Sequence, residues 1–281
     1  MAKGMTTSKR SKGNNGPAGS TTTKINATKA GAATVAFITG ANRGLGLETA
    51  RILAEQGITV VLGSRELNKG QAAAEGLRNG GAKSVEAVRF DVNKPADHKA
   101  IYNYLDKKYG KLDILINNAG VMDEGVKRPN GGFGFNSTSA VSQENLRKTF
   151  ETNFFELIAL TQTLLPLIKK SPAGRIVNLS SILGSLTLHS DPKSPIYDKK
   201  TFAYDASKTA LNAFTVHLAQ ELSGTPIKVN SAHPGWVKTR MGGDQAPMEL
   251  SEGGKTSAQL ATLPADGPSG GFFHLGQPLP W

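Results

Sequence analysis

From residue 34 onward, short apolar runs alternate with stretches of helical periodicity, and few folds accommodate that alternation. Val35-Ala36-Phe37-Ile38, Leu112 to Ile116, Ile176-Val177-Asn178-Leu179 and Ile227-Lys228-Val229-Asn230 all have the length of a strand rather than of a helix. Strand-like runs separated by helical ones point to βαβ units and a parallel sheet. Strands are expected at 34–39, 58–63, 84–90, 112–117, 174–180 and 227–233, with a short last one near 270–274. Helices are expected over 44–56, 66–79, 95–109, 142–169, 204–223 and 251–262. Pro95 suits the first turn of its helix, Ser142 is a candidate N-cap, and Pro166 should kink or end the long fourth helix.

At 281 residues the chain can bury a substantial core as one α/β domain spanning 34–281. The stretch before it, 1–33, is rich in Ser, Thr, Gly, Asn and Lys, and no acidic residue precedes Glu48. Such a segment buries too little apolar surface to offset its ordering entropy, so a disordered basic tail is expected. It holds six of the 33 basic residues, leaving 27 against 22 acidic ones, so much of the net charge of +11 belongs to the tail. A single Arg and weak amphipathic periodicity argue against an organelle-targeting peptide, and the lack of aromatic residues argues against nucleic-acid stacking. There is no cysteine, which removes disulfides and thiol nucleophiles. No apolar run approaches the length that spans a bilayer, and a cytoplasmic protein without a membrane partner is the expectation.

Three local features carry chemistry. Thr39-Gly40-Ala41-Asn42-Arg43-Gly44-Leu45-Gly46 follows the first strand and opens a helix. Glycines there let the backbone approach a pyrophosphate, while the helix turns its N-terminal N–H groups toward the anion. The second strand ends in Ser64-Arg65, where a carboxylate would repel a ribose 2′-phosphate. Arg65, with Arg43 nearby, suits phosphate oxygens instead and favours NADP(H), unless both arginines simply face water. Tyr204 and Lys208 stand at i and i+4 of an expected helix, one turn apart on one face. An ammonium held there should lower the phenol's pKa from about 10 and let it exchange protons near neutrality.

Together with Asn117-Asn118-Ala119-Gly120, Ser180-Ser181 and Pro234-Gly235, in this order, these motifs resemble the short-chain dehydrogenase/reductase family from about Thr34 to Trp281. The resemblance implies a Rossmann-type doubly wound sheet of about seven strands. It also implies reduction of an aldehyde or ketone, reversible toward alcohol oxidation. Along the dinucleotide it aligns Gly40, Arg43, Gly44, Leu45 and Gly46; Asp91 and Val92 fall at the adenine, Asn118 at the adjoining ribose, and Val237 and Thr239 at the nicotinamide side. The catalytic set it implies is Tyr204 as proton donor, Lys208 beside it, Ser181 as hydrogen-bond donor to the carbonyl, and Asn153 holding a water. A purely structural role, pinning strand ends, stays open for the asparagines of Asn117-Asn118. Only one of Ser180 and Ser181 should face the site, since side chains alternate along a strand.

The separation between Ser181 and Tyr204 is longer than the family's usual spacing, which resembles the carbonyl-reductase-like branch. The resulting 185–203 excursion, with Leu186, Leu188, Ile196, Tyr197 and Phe202, suggests a cover over the pocket and an apolar carbonyl substrate. Tyr197 is expected to line that pocket. The five histidines lack zinc-ligand spacing, so no metal is expected. Family members commonly pair through the two long helices, implying a homodimer or homotetramer. The alternative to an enzyme is a non-catalytic NADP(H)-binding regulator or scaffold.

Overall fold

The computed structural model describes Met1, residues 33–123, 125–127, 133–135 and 137–281; the expected tail, Met1 and Ala33 apart, lies outside the described residues. Strands and helices alternate as β1 (Val35–Ile38), α1 (Gly44–Glu55), β2 (Thr59–Ser64), α2 (Leu67–Asn79), β3 (Val85–Arg89), α3 (Pro95–Tyr109) and β4 (Ile114–Asn117). A small hairpin follows, β5 (Gly125–Lys127) with β6 (Phe133–Phe135). Next come α4 (Gln143–Phe150), α5 (Glu156–Ile168), β7 (Arg175–Leu179), α6 (Leu186–Ser190), α7 (Phe202–Glu221) and β8 (Lys228–Ala232). The chain closes with α8 (Leu250–Gly253), α9 (Lys255–Ala261), β9 (Phe272–His274) and β10 (Gln277–Pro278).

Eight strands form the main sheet in the order β10-β9-β8-β7-β4-β1-β2-β3, parallel except for β10. The expected seven are all present; the eighth, two residues long and containing Pro278, was missed because nothing so short shows a period of two. Strand order reverses between β1 and β4, the point at which open α/β sheets bind ligands beyond their carboxyl ends. Alternation along β1 divides the core. Val35 and Phe37 join Leu160, Leu164, Leu167 and Leu218 from α5 and α7 on one face. Ala36 and Ile38 meet Ala50 and Leu53 of α1 and Leu260 of α9 on the other.

A buried polar rung crosses this apolar sheet. Asn117, Asn178 and Ser231 lie opposite one another on β4, β7 and β8. The Asn117 amide donates to Thr161 Oγ1 (3.0 Å) and Asn178 Oδ1 (2.9 Å). Asn178 in turn donates to Thr215 Oγ1 (2.9 Å), which lies 2.9 Å from Ser231 Oγ. Helices α5 and α7 are thereby tied to three strands at a single level.

The expected helix over 142–169 is not uniform. Ser142 caps it by accepting from the Asn145 N–H (3.1 Å), and the turn Glu151–Phe155 widens to the i→i+5 pattern. Pro166 sits in the last turn and the helix stops two residues later, at Ile168. Within the 185–203 excursion the short helix α6 forms, with Ser185 accepting from the Leu188 N–H (3.1 Å). The expected 251–262 helix is split into α8 and α9 at Gly254.

Removing the middle of the polar rung should be costly, because buried partners lose their hydrogen bonds together. Asn178→Ala should destabilise the protein by about 2–3 kcal/mol, read as a lower urea midpoint with an unchanged slope.

Candidate active site

The carboxyl ends of β1, β4, β7 and β8 open into a cleft of about 1440 Å³. At its floor the chain leaves β1 through Thr39, whose hydroxyl accepts from the Asn118 and Ala119 N–H groups (3.0 and 2.9 Å). The Asn118 side-chain amide donates to the carbonyls of Thr39 (2.7 Å) and Gly40 (3.2 Å). Gly40 has φ +63°, a backbone form that favours glycine. A Cβ on Gly46 would lie 2.5 Å from Asn118 Nδ2 and 2.9 Å from the Gly40 carbonyl, so the turn closes only with glycine there. Asn118 thus pins the glycine-rich turn to the end of β4, and Asn117 belongs to the polar rung. Asn118 makes the backbone hydrogen bonds expected of a structural asparagine and also lines the cleft, whereas Asn117 bonds side chains instead.

Gly40, Arg43, Gly44, Leu45, Gly46, Arg65, Asp91, Val92, Asn118, Val237 and Thr239 all line this cleft, together with Ser181, Tyr204 and Lys208. Three expected residues do not. Ser64 is buried, with its hydroxyl donating to the Glu66 carbonyl (2.8 Å) at the start of α2. Asn153 sits behind the wall on the widened helical turn. Its amide donates to the Val121 carbonyl (2.9 Å) and Ser207 Oγ (3.0 Å), and its Oδ1 accepts from the Val121 N–H (2.8 Å). Its described contacts brace the end of β4 against α7. Tyr197 does not line the cleft either; it is exposed, with the Lys200 ammonium 5.2 Å from its ring centre.

Ser181, Tyr204 and Lys208 converge. The Ser181 and Tyr204 hydroxyls share a hydrogen bond, and Ser181 Oγ also accepts from the Leu183 N–H (3.2 Å). Ser180 points elsewhere, donating to Asn212 Oδ1 (2.7 Å), so the two serines do diverge. The Lys208 ammonium donates to the Leu179 carbonyl (2.7 Å) and lies 5.6 Å from the Tyr204 ring centre. Between them, Ser207 Oγ donates to the Tyr204 carbonyl (2.7 Å) while accepting from Asn153. Sequence reading passed over Ser207, although its position inside the Tyr204–Lys208 turn was a signal.

The proton affinities depart from expectation. Burial pushes the Tyr204 phenol up to about 12; the Ser181 hydrogen bond opposes that rise, and Asp205 adds to it. Burial also pulls the Lys208 ammonium down to about 8. Lowering of the phenol by Lys208 is therefore not observed: loss of solvent dominates both groups. Nearby, burial and His274 hold His233 down at about 3, so it is neutral, and its Nδ1 accepts from the Ile182 N–H (3.2 Å). Among the described residues no cluster of His, Asp and Glu could hold a metal ion, and no helix is long and apolar enough to cross a membrane.

The short chain dehydrogenase family model matches residues 34–250. The chain belongs to the short-chain dehydrogenase/reductase family. It is 32% identical to "Short-chain dehydrogenase/reductase 1" of Saponaria officinalis, over 88% of this chain and 95% of that protein. To "Carbonyl reductase [NADPH] 1" of Homo sapiens it is 33% identical, over 85% and 95%. Among solved structures, an NADPH-bound carbonyl reductase from chicken fatty liver superposes with a TM-score of 0.74 at 26% identity, covering 89% of this chain and all of that one. These relatives lie in the carbonyl-reductase-like branch of the short-chain dehydrogenase/reductases, and the activity class is that of an oxidoreductase acting on a small molecule.

A lysine pulled down to about 8 has a thermodynamic signature. Below pH 8 Lys208 is charged in both the folded and unfolded states, and its burial penalty is fully felt. As pH rises from about 8 toward the ordinary lysine value the folded state releases its proton first, so this group's contribution to stability increases. Carbon NMR of the lysine ε-positions should show one resonance titrating near pH 8, and Lys208→Met should abolish it.

Proposed function

We propose that the protein is an NADPH-dependent reductase of aldehydes or ketones, working through Tyr204, Ser181, Lys208 and Asn153. The observation that carries this is the Ser181–Tyr204 hydroxyl pair beside the buried Lys208, facing a cleft floored by the glycine-rich turn. The cleft fits a dinucleotide. Its floor is shaped by Gly46, where any side chain would collide, and the charged ends of Arg43 and Arg65 have no partner among the described residues. Gly40, Gly44, Leu45 and Gly46 would hold the pyrophosphate, Asp91 and Val92 the adenine side, and Arg43 and Arg65 a 2′-phosphate. Val237 and Thr239 would flank the nicotinamide, which when bound supplies the hydride.

The chain's own residues do the rest. A Tyr204 phenol pushed up to about 12 is fully protonated at neutral pH, which suits a group that must give a proton to a nascent alkoxide. Ser181 directs its hydroxyl at the same oxygen and stabilises the charge that develops there. Lys208, charged below about pH 8, offsets the build-up of negative charge on Tyr204 as the proton leaves. Asn153 acts by positioning: it holds Val121 and, through Ser207, the turn of α7 that carries both catalytic side chains. Ile182, Leu183, Ile196, Trp236 and Met241 line the cleft and support an apolar body for the substrate.

Turnover is tested by NADPH oxidation across a panel of carbonyl compounds. Tyr204→Phe should lower kcat by about 10²–10⁴-fold with the NADPH Kd unchanged; equal rates in both proteins would remove Tyr204 from the mechanism. The cofactor preference is a separate matter. Arg43→Gln with Arg65→Gln should raise the KM for NADPH by about tenfold or more while leaving that for NADH unaltered, since each charged phosphate contact is worth ~1.5–3 kcal/mol.

A further inference from the structure

The cleft wall beside Tyr204 carries charge that reduction of a neutral ketone does not use. Lys199 and Lys200 end the 185–203 excursion, immediately before α7, and both line the cleft. Lys200 is fixed by His189: its ammonium donates to the ring Nδ1 and to the backbone carbonyl, each at 3.0 Å. The His189 Nε2–H is engaged with the Leu183 carbonyl (2.9 Å), which leaves Nδ1 as the acceptor for lysine. Neither acceptor is anionic; the Asp205 carboxylate lies 3.4 Å from the ring's other nitrogen, Nε2, and does not line the cleft. The charged ends of Lys199 and of Arg240, which also lines the cleft, make no hydrogen bond or ion pair among the described residues.

Compensation on this wall is slight. Lys238 is paired with Glu249 and cancels, and Asp198 is the one carboxylate lining this region. Three cations therefore face the cleft here against Asp198; the other carboxylate of the lining, Asp91, follows β3 on the far side of the point where strand order reverses. They are distinct from Arg43 and Arg65, which follow β1 and β2 on the far side of the point where strand order reverses. Lys199 and Lys200 lead directly into the helix that carries Tyr204, and Arg240 follows β8.

We propose that the carbonyl substrate bears an anionic group, a carboxylate or its equivalent, held by Lys199, Lys200 and Arg240 while its carbonyl oxygen meets Tyr204 and Ser181. The inference rests on the reductase reading and narrows it to acids with an apolar body. Cations at the mouth of a cleft raise the local concentration of an anionic substrate and lower its KM, with an effect that salt weakens.

Two aldehyde pairs of different reach test this: para-formylbenzoate and the longer formylbiphenyl carboxylate, each against its methyl ester. At low salt the carboxylate of at least one pair should show kcat/KM about fivefold above its ester, the range of partly exposed ion pairs, and the advantage should fade at high salt. Lys199→Gln with Arg240→Gln alters exposed, unpartnered groups and should erase the advantage through KM, leaving ester turnover and the KM for NADPH unchanged. Equal kcat/KM for acid and ester in both pairs, or an advantage untouched by the double substitution, would overturn the inference. Calorimetric titration of the matching unreactive alcohols separates the two readings. An acid preference in binding without turnover of any aldehyde would sink the reductase and leave the anion site standing, whereas turnover without any acid preference would do the reverse.

Discussion

Asn117, Asn178 and Ser231 share one level of three neighbouring strands, and the strand ends that frame the cleft stand just beyond that shared level. Because amide and hydroxyl groups buried in a sheet must find partners, sliding any of these strands by one residue would strand several of them in an apolar core. The level lies one residue below Asn118 on β4 and Leu179 on β7. Asn118 then clamps the glycine turn, and the Leu179 carbonyl takes the Lys208 ammonium. Register thus brings the glycine turn at the floor of the cleft and the carbonyl that holds Lys208 to the same height.

Burial sets the second constraint. The phenol of Tyr204 and the ammonium of Lys208 are both displaced toward their neutral forms, in opposite directions on the pH scale. Each is therefore most responsive to a charge brought close to it, since burial weakens the screening of the interaction. The braces around them are neutral: Ser207, Asn153 and the Val121 backbone fix geometry without adding charge. The polar scaffolding and the ionisable pair have separate jobs, one positional and one electrostatic.

Much of this was legible in the sequence, and the parts that were not have physical reasons. Strand and helix alternation sufficed for the sheet, because buried parallel strands are short and mostly apolar, even where β7 and β8 carry buried polar residues. The glycine turn and the Tyr204–Lys208 spacing were legible because backbone approach and helical pitch restrict residue type and interval. The direction of the tyrosine's proton affinity was not, since depth of burial outweighs the neighbouring charge and depth is a property of the fold. Ser64 misled for a related reason: a hydroxyl at a strand end suits a phosphate or a helix start equally well, and here the Glu66 carbonyl takes it. The widened turn at Glu151–Phe155 was not legible, because Glu-Thr-Asn-Phe-Phe holds neither the proline nor the glycine that would mark a break in a helix.

The two outer strands of the main sheet have a consequence for how the molecule meets its neighbours. On one side β3 runs for five residues, and its charged Glu86 and Arg89 are tied to Lys108 and Asp97 on α3. On the other, β10 is two residues long and one of them is Pro278, which has no N–H to offer. The β10 margin gives a foreign strand almost no ladder to extend, while the β3 margin carries the charged side chains that discourage such pairing. Both ends of this mostly apolar sheet are thus guarded against cross-molecule pairing, one by brevity and proline and the other by charge.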